Sequence, residues 1–155
     1  MLKYFSSSAT NKVDAKGRVS IPAPFRKVLQ AEENPVLYLR PEVSGKAVIE
    51  GFGQSHMDEI AEALSRMNPL TQETRALTDV LVSRAHPLPL DETGRIVLPA
   101  EFRELAGITD SARFVGGVKT FQIWNPDAYA AEAADMQAIA VANFDKLPWG
   151  GGAGA

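Results

Sequence analysis

One thirteen-residue pattern occurs twice in this chain. Asp14-Ala15-Lys16-Gly17-Arg18-Val19-Ser20-Ile21-Pro22-Ala23-Pro24-Phe25-Arg26 returns, without insertion or gap, as Asp91-Glu92-Thr93-Gly94-Arg95-Ile96-Val97-Leu98-Pro99-Ala100-Glu101-Phe102-Arg103. A repeated supersecondary unit generally buries its apolar face against its copy, so the fold must be one that two such units can complete together. In each copy the Asp and Gly have turn chemistry, because Asp accepts nearby backbone N–H groups and Gly takes a positive φ. Three strand-like residues follow, and a Pro-initiated helix begins with Phe and Arg on its first turn.

The flanking sequence extends each copy into the same order: strand, turn, strand, short helix, hairpin. Residues 1–13 predict an edge strand ending at Lys12-Val13, with Val19-Ser20-Ile21 as the returning strand of a hairpin. Phe25, Val28 and Leu29 form the apolar face of the following helix. Residues 35–39 and 47–52 predict two strands joined near Ser44-Gly45. In the second copy, Leu88 and Leu90 lead into the turn, and the prolines Pro87 and Pro89 favour a sheet edge. A helix over 100–106 ends at Gly107, and residues 113–116 and 120–124 pair around Gly117-Val118-Lys119. Phe25, Phe102 and Trp124 are expected in the core. Two such units can close a small barrel by pairing each other's exposed edges.

Between the copies, Met57, Ile60, Leu64 and Met67 recur at helical spacing, with Ser55 as the expected N-cap and Asp58 three residues on. Asn68-Pro69 interrupts that helix, and Thr71 caps a second one bearing Leu77, Val80 and Leu81. Asn125-Pro126 starts a last helix reaching about Ala142, and the Gly-rich tail from Pro148 is expected to be mobile. The organisation is therefore a first repeat (1–53), a helical insert (54–84), a second repeat (85–129) and a C-terminal helix with tail (130–155). The fold class is α+β, mainly β.

Composition limits the functional classes. A hydrophobic share of 45% supports a real core, and no apolar run approaches the roughly 20 residues that span a bilayer. The N-terminus lacks the pattern of a secretory signal, so a cytoplasmic location is expected. With no cysteine in the chain, disulfides and thiolate metal sites are excluded. His56 and His86 are isolated, without a second ligand at metal-binding spacing. No phosphate-binding Gly loop or Ser-His-Asp set is present. The reading is of a non-enzyme that needs no cofactor and no metal. A net charge of −3 argues against a general nucleic-acid coat, yet it leaves room for a small basic face, since only charges that meet phosphate release counterions.

The paired Asp-x-x-Gly-Arg…Pro-x-x-Phe-Arg units, together with Phe114-Val115-Gly116-Gly117-Val118-Lys119-Thr120-Phe121-Gln122-Ile123-Trp124, resemble the MraZ family of bacterial transcriptional regulators. That family is built from two swapped-hairpin units of the AbrB type. The resemblance runs from about Tyr4 to Tyr129. It implies a double-split β-barrel, a ring-shaped homo-oligomer and a nucleoid-associated repressor. The implied DNA targets are direct repeats upstream of the division and cell-wall gene cluster. The family's Asp-x-x-x-Arg element falls on Asp14 with Arg18 and on Asp91 with Arg95. The first turn adds Lys12 and Lys16, whereas the second has Glu92 and Thr93 and no lysine.

Lys12, Asp14, Lys16, Arg18, Asp91 and Arg95 are therefore the expected DNA-binding residues. A β-ribbon fits a major groove, where Arg reaches guanine O6 and N7 with two hydrogen bonds. The competing account is that each Arg pairs with its own turn's Asp and only orders the loop. Repeat and resemblance favour DNA for Arg18, while for Arg95, beside Glu92, the two accounts stand level. Asp14 and Asp91 are expected to hold the adjacent Arg through charge-assisted bonds. Arg26 and Arg103 could line a DNA face or form inter-subunit ion pairs, and the ion pairs are the favoured expectation. The alternatives to DNA regulation are a protein-interaction scaffold or inhibitor using the Met57–Met67 stripe, and an antitoxin-like regulator.

Overall fold

A computed structural model describes residues 3–149, and the expectation of a mobile tail falls mostly on residues 150–155, outside the described residues. The chain divides into two compact units, Met1–Asn125 and Pro126–Ala155. In the first unit the elements run β1 (Ser8–Lys12), β2 (Arg18–Ser20), α1 (Ala23–Gln30), β3 (Leu37–Pro41), β4 (Ile49–Phe52), α2 (Gln54–Ser65) and α3 (Gln72–Thr78). One π-helical turn, Asp79–Ser83, follows, and then β5 (His86–Leu88), β6 (Arg95–Val97), α4 (Ala100–Ala106), β7 (Ser111–Gly117) and β8 (Thr120–Trp124).

The strands pair across the repeat. A six-stranded antiparallel sheet runs β1-β7-β8-β4-β3-β5, and β2 with β6 makes a separate two-stranded ribbon. β1 of the first copy lies on β7 of the second, and β5 of the second lies on β3 of the first. The two hairpins meet at β4–β8 in the middle. This corrects the expected local hairpins: Val19-Ser20 does not return along β1, because β2 takes β6 as its partner. The reason is geometric. Residues 14–17 turn tightly, with Asp14 N–H donating to Arg18 O at 3.1 Å and Gly17 N–H to Asp14 O at 2.9 Å, and the chain then leaves the sheet for the ribbon. The six-stranded ladder does not close on itself among the described residues, and β1 and β5 are its edges. Pro87 accordingly sits on an edge strand, where its missing N–H costs least.

The core lies between the sheet, the ribbon and the two short helices. Phe25, Leu29, Leu98, Phe114, Phe121 and Ile123 are fully buried, and Phe102 and Trp124 are nearly so. Phe25 stacks at a tilt on Phe121, with centroids 4.9 Å apart, and meets Phe5 edge-on at 5.5 Å. Val19 and Ile96, directly opposed across the ribbon, turn inward and seal its inner face. Each such side chain contributes on the order of 2 kcal/mol by leaving water. The two copies are therefore held together by one shared core.

The helical insert departs from expectation at its start. Gly53 is the N-cap residue of α2, and the orphan N–H groups of Gln54 and Ser55 donate to the Glu32 carboxylate at 3.0 and 2.9 Å. A carboxylate from just beyond α1 thus supplies the cap expected of Ser55. Thr71 caps α3 as expected, its hydroxyl accepting from Thr74 N–H at 3.3 Å. The insert is tied down by Arg40, which is 3% exposed. Arg40 donates to Leu81 O at 2.9 Å, pairs with Glu50 at 3.3 Å and lies 4.6 Å from the Phe52 ring centre. In the second unit, α5 (Pro126–Asn143) ends in a short 3-10 turn, Phe144–Lys146.

Gly17 and Gly94 hold φ values of +85° and +80°, the left-handed region that side chains disfavour. A Cβ on Gly17 would also stand 2.9 Å from Leu98 O, a backbone atom that cannot step aside. Gly17→Ala should therefore lower unfolding free energy in urea by about 1–3 kcal/mol.

Candidate nucleic-acid interface

The ribbon's outer face is built by register alone. Arg18 opposes Val97 and Ser20 opposes Arg95, and opposed residues share a face while successive ones alternate. With Val19 and Ile96 inward, Arg18, Ser20, Arg95 and Val97 all face out. Arg18 and Arg95 are diagonal neighbours, a relation that puts Cα atoms about 7–8 Å apart. Two arginines from separate repeats thus stand side by side.

Each arginine is held by its own turn. Asp14 Oδ1 accepts from Arg18 N–H at 2.8 Å and from Lys16 N–H at 3.0 Å, while Oδ2 takes Arg18 Nε at 2.6 Å. The second turn repeats this: Asp91 Oδ1 accepts from Arg95 N–H at 2.8 Å and Thr93 N–H at 2.8 Å, and Oδ2 takes Arg95 Nε at 3.1 Å. Both arginine side chains remain 44% exposed. Asp–Arg pairing and outward display therefore coexist. The carboxylate occupies Nε, which leaves the two Nη groups at the far edge of each guanidinium as the planar fork that suits phosphate or guanine.

The bonds that fix the turns also set the charge of the aspartates. The backbone N–H of Arg18, followed by its guanidinium, holds the Asp14 carboxyl below its ordinary value of 3.8. For Asp91 the backbone N–H of Arg95 and the Thr93 hydroxyl do the same, more strongly.

Behind the ribbon the two copies clamp one another. Ile21 N–H donates to Gly94 O at 2.9 Å, and Leu98 N–H to Gly17 O at 2.8 Å. Arg26 of α1 packs over Gly94, and Arg103 of α4 packs over Gly17. Arg26 also donates to Ile21 O at 2.8 Å. Within this chain both arginines thus pack against the turn of the opposite repeat. Sequence reasoning missed this role. Its signal was present, since Arg26 and Arg103 occupy equivalent repeat positions next to glycines that leave room above the turn.

Two grooves flank the ribbon. One, of about 560 Å³, is lined by Lys12, Asp14, Arg18, Ser20, Arg95 and Asp110 among others. The other, of about 230 Å³, is lined by Arg18, Arg95 and Asp91 with Leu88, Pro89, Leu90 and Val97. Lys12 is thereby brought beside both arginines, whereas Lys16 projects from the exposed turn tip. Sequence reasoning also missed Ser20 and Val97, whose place on this face appears only once the β2–β6 register is known. His56 contacts Glu59 at 3.3 Å and His86 lies 3.5 Å from Glu101, and neither histidine lines the two grooves.

Fold and site together define a class: a tandem duplication whose halves exchange strands and jointly present a two-arginine ribbon. Comparison with known proteins makes the class particular. A family model described as "MraZ protein, putative antitoxin-like" matches residues 81–146. The chain is 44% identical to the transcriptional regulator MraZ of Parvibaculum lavamentivorans, over 88% of this chain and 84% of that protein. It is 41% identical to the protein of the same name from Rhodospirillum rubrum, over 84% and 85%. For the one from Ruegeria pomeroyi the identity is 34%, over 96% and 91%. The chain belongs to the MraZ family of transcriptional regulators.

A carboxylate whose pKa is depressed on folding stabilises the fold above its unfolded value, and that contribution is lost as pH falls through the folded value. Both turn aspartates behave this way, so their contribution is complete at pH 7 and fades below about pH 4. The Asp14→Asn, Asp91→Asn double variant should be less stable than the parent in urea at pH 7. The gap between the two should narrow progressively as pH falls below about 4, with the variant's stability changing less than the parent's over that range.

Proposed function

We propose that this chain is a sequence-specific binder of double-stranded DNA that regulates transcription by docking its ribbon in the major groove. The observation that carries the reading is the outward display of Arg18 and Arg95 as diagonal neighbours, each bonded at Nε to an aspartate with its side chain 44% exposed. An immobilised guanidinium loses little rotamer freedom on binding, and a bidentate contact to guanine discriminates by about 1–3 kcal/mol. Asp14 and Asp91 position the arginines, and Lys12 and Lys16 neutralise phosphates.

One ribbon offers few contacts, and the net charge of −3 opposes any diffuse attraction. Affinity must come from multiplicity. We infer a ring-shaped homo-oligomer that presents several ribbons to direct repeats in a promoter, making later contacts intramolecular and raising avidity by roughly 10²–10⁴. Repression of the division and cell-wall gene cluster, a cytoplasmic and nucleoid-associated location, a double-split barrel and the four-part division at 1–53, 54–84, 85–129 and 130–155 all belong to this reading. Among the described residues no helix is long and apolar enough to cross a membrane.

One observation favours a second reading. Met136, Ile139, Val141, Phe144 and Trp149 of the C-terminal unit are exposed, as a surface for a protein partner would be, in keeping with a scaffold or antitoxin-like role.

Arg18→Ala should abolish the gel shift of the chain's own upstream DNA while leaving oligomer size unchanged by light scattering. The parent's log affinity should fall linearly with log salt. An Arg18→Ala protein that shifts DNA like the parent, or an affinity indifferent to salt, would overturn the DNA reading in favour of a protein partner.

A further inference from the structure

The backbone of the ribbon is close to two-fold symmetric. Equivalent bonds in the two turns nearly coincide: Asp14 N–H to Arg18 O at 3.1 Å against Asp91 N–H to Arg95 O at 3.0 Å, and 2.9 against 3.0 Å for the glycine N–H bonds. A ribbon with identical ends would sit in a DNA site equally well in either of two orientations. The side chains break that equivalence. Over residues 12–18, Lys12, Lys16 and Arg18 against Asp14 leave a formal charge of +2. Over the equivalent 89–95, Arg95 against Asp91 and Glu92 leaves −1, with Pro89 and Thr93 standing where the first copy has its lysines. Asp110 lines the first groove and reduces the contrast, yet that end remains net positive.

We propose that this charge difference makes the ribbon directional: the first turn is the phosphate-gripping end, and the second, bearing Glu92, is the end that phosphate disfavours. The proposal rests on the DNA reading above and adds a polarity to it. Each ribbon enters its site in one orientation, so copies in an assembly related by simple rotation read repeats that all point the same way. Fixed polarity also explains how two nearly superimposable turns can serve unlike roles. Arg18 acts beside two lysines that anchor the backbone. Arg95 acts where an acidic neighbour weakens any contact lacking good hydrogen-bond geometry, so it adds selectivity more than affinity.

The chain has no cysteine, so Ala15→Cys introduces a unique thiol at the exposed tip of the first turn. That thiol is coupled to an iron–EDTA reagent, which cuts DNA within reach of its attachment point. The probe is a single-site duplex selected from a random pool by the unmodified protein. Cutting confined to one end of the site, by at least fivefold over the other, is the expected result. Adding Glu92→Ala and Thr93→Lys makes the second turn read Asp-Ala-Lys-Gly-Arg like the first, and cutting should then appear at both ends. Equal cutting at both ends with the Ala15→Cys protein would overturn the polarity while leaving DNA binding intact. One-sided cutting that survives the two added substitutions would show that these turn charges do not set it. Failure of the pool to yield any bound duplex would instead sink the DNA reading itself, and the polarity with it.

Discussion

The structure depends on a reciprocal main-chain exchange, in which Ile21 N–H reaches Gly94 O while Leu98 N–H reaches Gly17 O. Neither repeat can satisfy these groups alone, because each turn's carbonyl faces the other copy's strand. Buried backbone groups that go unpaired cost as much as a lost hydrogen bond or more, so either copy alone would leave its ribbon strand unpaired. The positive φ of both turn glycines brings their carbonyls to the crossing point, and Arg26 and Arg103 close over the tops. From this follow the β2–β6 register, the inward Val19–Ile96 pair and the outward Arg18–Arg95 pair.

The same constraint links stability to function. The ribbon is only three residues long on each side, too short to persist alone. It survives because its inner face belongs to the core shared with Phe25, Leu98 and Phe102. A ribbon so anchored is held rigid, and rigidity is what the proposed bidentate arginine contact requires. The aspartates complete the arrangement by fixing each guanidinium at Nε. The competing accounts of these residues, loop ordering and outward presentation, describe two functions of one set of bonds.

Much of this was legible in the sequence. The repeat located both turns, both short helices and the pairs Asp14–Arg18 and Asp91–Arg95 from residue types alone. Gly107 ends α4 in the left-handed conformation, and Thr71 caps α3, as their residue types suggested. What the sequence concealed was partnership. Val19-Ser20 reads as the return of a local hairpin because short-range turn chemistry is identical whether a strand folds back on its neighbour or crosses to a copy. Nor does local pattern reveal that Glu32 caps α2 from the other side of the β3–β4 hairpin, a contact settled by tertiary packing. The packing of Arg26 and Arg103 on the opposite turns was hidden for the same reason, since what they touch lies in the other repeat.

The central claim is that both copies within one chain complete a single ribbon, and cross-linking tests it most directly. Val19 and Ile96 are directly opposed. An opposed pair that exchanges backbone hydrogen bonds has its Cα atoms about 5.5 Å apart, within the span of a disulfide. In the otherwise cysteine-free chain, the Val19→Cys, Ile96→Cys variant should oxidise to a disulfide within the chain and run as a monomer on a non-reducing denaturing gel. Covalent dimers, or two thiols that stay free under oxidation, would mean that the ribbon is not formed by the two halves of one molecule.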